Sequence, residues 1–288
     1  MTLPQFLVIG AMKAGTTTLF QDLKGHPSVY MASDKEINGL ADDSIFTPKG
    51  IKAYEKHFLK SESNQICGEG STNYSKVPDI ENVPERAHKI LGNDIRLIYL
   101  VRNPIARLIS QYNHHVNVAG LTTPIDEAIH ELPRLVNYSK YAMQLQPWIS
   151  EFGLKQIKVI VFEDYVKNRV DTFTSVCNFL GIPVQVDHIE SEKAFNKGAG
   201  RPKQSGLISD FSKGKLYHTM VRKFIPQAVK DSVRKHALPK SEPPQQPTNT
   251  SVNWVVQQLL DDSKELCEIL GWDTLPWNLE DAVKTYGK

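Results

Sequence analysis

The sequence predicts an α/β protein, a three-layer fold with a central parallel sheet flanked by helices, and three observations predict it. Short apolar runs rich in β-branched residues recur along the chain. A helical pattern follows most of them. The first run leads through a glycine-bounded loop directly into a helix. Apolar runs without polar alternation suit strands buried on both faces. Strands that alternate with helices imply a parallel sheet wrapped by those helices.

Taken in order, Phe6-Leu7-Val8-Ile9 ends at Gly10 and reads as a buried strand. Gly15 closes a short loop. Residues 16–24 then read as a helix that stops at Gly25-His26-Pro27. Residues 66–69 are a short strand candidate, whereas 95–101 (IRLIYLV) and 157–162 (IKVIVF) are clear strands. Helical patterns cover 104–115, where Pro104 suits the first turn, then 138–152 and 168–180. Beyond Gly181 the periodicity weakens and 193–235 is rich in Lys and Arg. The stretch 239–247 (PKSEPPQQP) is too proline-rich for regular structure, so 239–250 reads as a surface connector. Residues 252–270 form a last helix stopped by Gly271. The C-terminal part, 251–288, has no core of its own, so 1–288 is expected to be a single domain.

Composition bounds the function. Of 288 residues, 40% are hydrophobic and 23% charged, which suits a packed core rather than disorder. A net charge of +2 argues against a dedicated nucleic-acid binder but leaves room for a local basic pocket. The three cysteines, Cys67, Cys177 and Cys267, are widely spaced and form no CxxC pair. Neither a disulfide framework nor a thiolate metal site is indicated, and a reducing cytoplasm is the expected location. The opening MTLPQFLVIGA reads as a strand rather than a signal peptide. No eighteen consecutive apolar residues occur, so no membrane span is expected.

Two segments carry chemistry. The first is Gly10-Ala-Met-Lys13-Ala14-Gly15-Thr16-Thr17-Thr18. Between a strand and a helix, exposed backbone N–H groups and the helix N-terminus together bind an anion. Small residues let the backbone approach phosphate oxygens, Lys13 adds a mobile charge, and the threonine hydroxyls add donors. The loop is not of the ATP type, which places lysine directly after the second glycine. Thr16 stands there instead. No strand ends in the aspartate that a magnesium-dependent phosphoryl transferase needs beside its loop threonine: 95–101 runs into Arg102, and 157–162 into Glu163-Asp164. The second segment is Leu100-Val101-Arg102-Asn103-Pro104 and the helix after it. Arg102 stands at a strand's carboxyl end, where open α/β sheets bind ligands. Ser110 lies two helical turns on. An arginine and a hydroxyl suit a second phosphate; an ordinary salt bridge and an ordinary helix serine are the alternative.

These residues resemble a known family. FLVIGAMKAGTTTLFQDLKGHPSV resembles the 5′-phosphosulfate loop of sulfotransferases that use 3′-phosphoadenosine 5′-phosphosulfate (PAPS), and IYLVRNPIARLISQY resembles their 3′-phosphate motif. The branch that contains heparan-sulfate sulfotransferases and their bacterial relatives is the most similar. Lys35-Glu36, 69–74 (EGSTNY), 162–164 (FED), 197–201 (KGAGR) and the ending LGWDTLPWN match further segments in order. The resemblance implies a P-loop-type fold and in-line sulfuryl transfer from PAPS to a hydroxyl or amine of a small-molecule or glycan acceptor. It implies no metal. It assigns Lys13, Ala14, Gly15, Thr16, Thr17 and Thr18 to the 5′ end of the nucleotide and Arg102 and Ser110 to the 3′ end. Lys197, Gly198 and Arg201 would form a lid over the 3′-phosphate end. Glu36 would be the base and Lys13 would neutralise the leaving oxygen. His114 and His115 are rival bases, read more simply as charges at the end of their helix. The chain departs from the pattern in two places: Ile37-Asn38-Gly39-Leu40 replaces the usual aromatics, and Gly70 stands where relatives acting on heparan sulfate carry lysine. A P-loop kinase of a nucleoside or small molecule is the rival enzyme, and a non-catalytic nucleotide-binding protein the rival class. Oligomeric state is left open.

Overall fold

The structure is a computed structural model that describes residues 2–189 and 243–288. Its strands are β1 (Phe6–Gly10), β2 (Val29–Met31), β3 (Ile66–Gly70), β4 (Arg96–Val101) and β5 (Ile157–Val161). The helices are α1 (Thr16–Gly25), α2 (Pro48–Glu55), α3 (Val83–Leu91), α4 (Pro104–Ala119), α5 (Ile125–Glu131), α6 (Arg134–Asn137), α7 (Tyr141–Phe152), α8 (Phe162–Lys167), α9 (Arg169–Leu180), α10 (Asn249–Leu270) and α11 (Ala282–Tyr286).

The five strands form one sheet in the order β2-β3-β1-β4-β5, and every pairing is parallel. The expected three-layer arrangement is what forms. β1 is buried along its whole length, as a central strand with helices on both faces must be. Phe6 pairs with Gly68 of β3, where an added Cβ would lie 2.0 Å from the Phe6 ring, so the glycine is what admits the aromatic. The chain lays β2 and β3 on one side of β1 and β4 and β5 on the other. The order therefore reverses at β1, and the loops leaving β1 and β4 open side by side at the carboxyl ends of their strands, the usual ligand position in such sheets.

Several boundaries differ from the sequence reading. β2, α2 and α3 are not read from the sequence: each is short, at three, eight and nine residues. The helix after Arg102 runs four residues beyond the histidines, to Ala119, and ends at Gly120 (φ 69°). Asn113 and Asn117 look like breakers there, but their amides donate back to the carbonyls of Ile109 and Asn113, at 2.9 and 2.9 Å. The expected 138–152 helix begins only at Tyr141. The 157–162 strand ends at Val161, and Phe162 opens α8. α10 starts at Asn249 because the Thr248 side chain caps it, which shortens the expected connector. Residues 239–242 of that connector lie outside the described residues.

Apolar burial falls into two clusters. One surrounds the sheet. The other joins Ile105, Leu108 and Tyr112 of α4 to Ile125 of α5, Leu135 of α6 and Val252, Val255 and Leu259 of α10. α10 thus buries its apolar stripe against the helix that follows Arg102.

Candidate active site

The loop after β1 is tethered to β4, because Ala11 N–H donates to the Leu100 carbonyl at 2.8 Å. Lys13 (φ 70°) and Gly15 (φ 92°) are both left-handed. Such turns point successive N–H groups into one concavity. At Gly15 a side chain would meet the Phe162 ring at 2.5 Å, so both conformation and space demand glycine. Gly15 is also the N-cap of α1 and supplies no side-chain cap. Thr16 and Thr17, at the start of α1, therefore present their N–H groups and the positive end of the helix dipole, whereas Thr18 N–H donates to the Gly15 carbonyl at 2.9 Å, which leaves only its hydroxyl for a ligand.

The second motif meets the first. Arg102 donates from its guanidinium to the Lys13 carbonyl at 3.1 Å and lies over the Phe162 ring at 5.0 Å. Its main chain is held by Tyr141, whose hydroxyl donates to the Arg102 carbonyl at 2.7 Å. Asn103 caps α4 by accepting from Ile105 and Ala106 N–H, at 3.1 and 3.1 Å. Glu163 then locks this turn to the C-terminal tail, accepting from Asn103 N–H and from the Trp277 indole, each at 2.9 Å. Ser110 is half-buried on the same helix.

Sequence reasoning missed Arg107. It is fully buried, and its four partners are uncharged: Ser139 at 2.6 Å, Gln111 and the Leu135 carbonyl each at 2.7 Å, and the Met12 carbonyl at 3.5 Å. Burial pushes the guanidinium down to about 10, still charged at neutral pH. A cation sequestered behind the Lys13 loop, with no carboxylate bonded to it among the described residues, raises the positive potential there. Its signal in the sequence is the spacing Asn103–Arg107–Gln111 on one helix face, visible only once that face is known to be buried.

Glu36 sits on the loop after β2, also left-handed (φ 63°). Its N–H donates to the Gly70 carbonyl at 2.9 Å. Its carboxylate pairs with Lys35 and accepts from Thr72 N–H at 2.7 Å and from the Thr72 hydroxyl at 3.1 Å. Lys76, also missed, donates to Asn73 at 2.5 Å and lies 5.5 Å from the Tyr138 ring centre. Burial lowers the Lys76 ammonium and the Glu36 charge pulls it back up.

His114 and His115 do not end their helix, which corrects that reading. Both lie within the final turns of α4, four or more residues before its end. Burial pushes His115 down to about 4, helped by the positive charges of Arg134, Lys76, Arg107 and Lys13. An imidazole so placed is neutral at physiological pH and faces the same basic field as the phosphate loop. Lys197, Gly198 and Arg201 lie outside the described residues. Among the described residues no group of three or more His, Cys, Asp or Glu side chains is arranged to hold a metal, and no helix is long and apolar enough to cross a membrane.

The comparisons with known proteins converge on these elements. The chain is 28% identical over 196 residues to heparan sulfate glucosamine 3-O-sulfotransferase 5 of Mus musculus, covering 64% of this chain and 55% of that protein. It is 26% identical over 273 residues to heparan sulfate glucosamine 3-O-sulfotransferase 6 of Mus musculus, covering 87% of this chain and 73% of that one. The crystal structure of a sulfotransferase from Alicyclobacillus acidocaldarius superposes with a TM-score of 0.65 at 19% identity, covering 95% of this chain and 98% of the other, which shows a shared P-loop-type fold. The sulfotransferase domain profile matches residues 3–227, a span that contains the Lys13 loop, Glu36 and Arg102. With that match across most of its length, the chain belongs to the sulfotransferase family.

Proposed function

We propose that this protein transfers the sulfuryl group of PAPS to a hydroxyl of a glycan, releasing adenosine 3′,5′-bisphosphate. One observation carries the reading: the Arg102 guanidinium touches the Lys13 carbonyl at 3.1 Å, so two anion-binding motifs form one continuous cradle. The 5′ end lies on Lys13, Ala14, Gly15, Thr16, Thr17 and Thr18, and the 3′-phosphate on Arg102 and Ser110. The family match favours sulfuryl over phosphoryl transfer, and the missing loop lysine after Gly15 argues against the kinase.

In the in-line step the acceptor oxygen attacks sulfur. The bond from sulfur to the bridging 5′-phosphate oxygen breaks, and its electron pair stays on that oxygen. Lys13 neutralises the growing charge, a contact worth roughly 3 kcal/mol of barrier. The acceptor proton passes to Glu36. Thr72 and Lys35 orient the Glu36 carboxylate, whereas His115 is held neutral by burial, with the surrounding cations also opposing its taking a proton. A glycan acceptor is supported by the heparan sulfate relatives and by Lys35 and Lys76 beside Glu36. Cytoplasmic location belongs to the same proposal, supported by three free cysteines.

A mass-spectrometric acceptor screen with PAPS tests the reaction, with N-sulfated heparan oligosaccharides among the acceptors. An increase of one sulfate on an oligosaccharide is expected. Transfer to no acceptor despite tight binding of adenosine 3′,5′-bisphosphate would favour a non-catalytic nucleotide binder. Glu36→Gln is expected to lower turnover by roughly 100-fold or more, with a measurable remainder and nucleotide binding intact; wild-type turnover in that variant removes Glu36 as the base.

A further inference from the structure

Segment 69–74 matches a family segment in sequence, and in the structure two of its residues bond Glu36 while two others bond the loop beyond it. Gly70 and Thr72 hold the Glu36 backbone and carboxylate directly, as described above. The next two ties reach further along the Glu36 loop. Asn38 N–H donates to the Ser71 hydroxyl at 3.1 Å, and Leu40 N–H donates to the Tyr74 hydroxyl at 3.0 Å. Asn38 is itself left-handed (φ 54°), and its amide donates to the Glu36 carbonyl at 2.8 Å.

Both of those hydroxyls end on one acid. Ser71 donates to Glu69 Oε1 at 2.6 Å and Tyr74 donates to the same oxygen at 2.5 Å, while Tyr54 of α2 donates to Oε2. Glu69 is 0% exposed. No cation pairs with it among the described residues. A buried carboxylate of this kind is expensive to keep unless it orders its surroundings. Its chemistry sets the direction of the network. An ionised carboxylate only accepts, so each hydroxyl must point its hydrogen at Glu69. That leaves the Ser71 and Tyr74 oxygen lone pairs facing the loop, where they receive the N–H groups of Asn38 and Leu40. Two left-handed residues in one short loop are strained and persist only when neighbours over-determine them.

We propose that Glu69 is the positioning residue of the active site: through Ser71 and Tyr74 it clamps residues 36–40 in the strained conformation that presents the Glu36 carboxylate to the acceptor. The inference rests on Glu36 being the base. Burial pushes Glu69 up to about 7, helped by the Glu36 charge and against the pull of its three hydroxyl donors.

Hydrogen exchange on the full-length protein, with adenosine 3′,5′-bisphosphate bound, reads the clamp without any acceptor. In Glu69→Gln the amides of Asn38 and Leu40 should exchange at least tenfold faster, with the amides of β1 and β4 unchanged. Should Glu69→Gln fail to fold, Ser71→Ala and Tyr74→Phe each remove one tie and should release Asn38 and Leu40 respectively. Turnover on the acceptor selected by the screen should fall at least tenfold in kcat, with KM for PAPS unchanged. In a Glu36→Gln background the Glu69→Gln change should cost nothing further, because the clamp acts through Glu36. Wild-type exchange at both amides in all three variants overturns the proposal. So does an equal loss of turnover from Glu69→Gln with and without Glu36. A fully active Glu36→Gln enzyme would instead sink the assignment of the base, a distinct result.

Discussion

Arg102 carries the largest single expectation at the residue scale. Its charge lies between the Lys13 carbonyl and the Phe162 ring, so the side chain is already ordered before a phosphate arrives. Hydrogen bonds to charged groups contribute about 1.5–3 kcal/mol. Arg102→Ala should therefore weaken adenosine 3′,5′-bisphosphate binding by roughly 100-fold, and isothermal titration calorimetry checks it. An affinity within threefold of wild type would place the 3′-phosphate elsewhere. The loop of Lys13, Gly15 and Thr16 and the position of Arg102 at a strand end were legible in the sequence, because strand, glycine-bounded loop and helix are local patterns. Arg107, Lys76, Phe162 and Tyr141 were not. Arg107 lies in the second motif itself, but its role depends on a helix face that only packing shows to be buried; Lys76, Phe162 and Tyr141 reach the site from other segments of the chain.

Helix junctions are where local reading fails at the element scale. α7 shows why. Its N-cap, Lys140, offers no side-chain cap, and the first N–H groups are satisfied instead by Asp262 of α10. The Asp262 carboxylate accepts from Ala142 at 3.2 Å and from Met143 at 2.9 Å. Burial nevertheless pushes Asp262 up to about 6, with those two N–H groups opposing the shift. The folded protein thus holds a proton between pH 4 and pH 6 that the unfolded chain has already released, so this group's contribution to stability falls as pH rises through that window. Asp262→Asn should flatten the pH dependence of the melting temperature there, by a drift on the order of 5 °C. An unchanged profile would mean that Asp262 titrates alike in both states. The histidine-bearing end of α4 teaches the same lesson from the other side: the helix runs past the expected end at His115 to Ala119, with the Asn113 and Asn117 amides bonded back to Ile109 and Asn113, and Gly120 ends it.

At the scale of the whole molecule the nucleotide is expected to act as a brace. Its cradle joins the ends of β1 and β4, and Glu163 and Trp277 tie that same corner to the C-terminal tail. A ligand bound only by the folded state at 100 times its dissociation constant adds about 2.7 kcal/mol. Adenosine 3′,5′-bisphosphate should thus raise the melting temperature by roughly 5–10 °C, and ATP with magnesium by much less. Equal shifts would favour the kinase. The sequence by itself determined the fold class, the central strands and the two loops that leave β1 and β4, because apolar runs and glycine-bounded loops express their physics within a few residues. It did not determine the order of the strands, the meeting of Arg102 with the Lys13 loop, or the use of 69–74 as a clamp on Glu36. Those depend on contacts between segments dozens of residues apart, whose energies exist only once the sheet has brought their ends together.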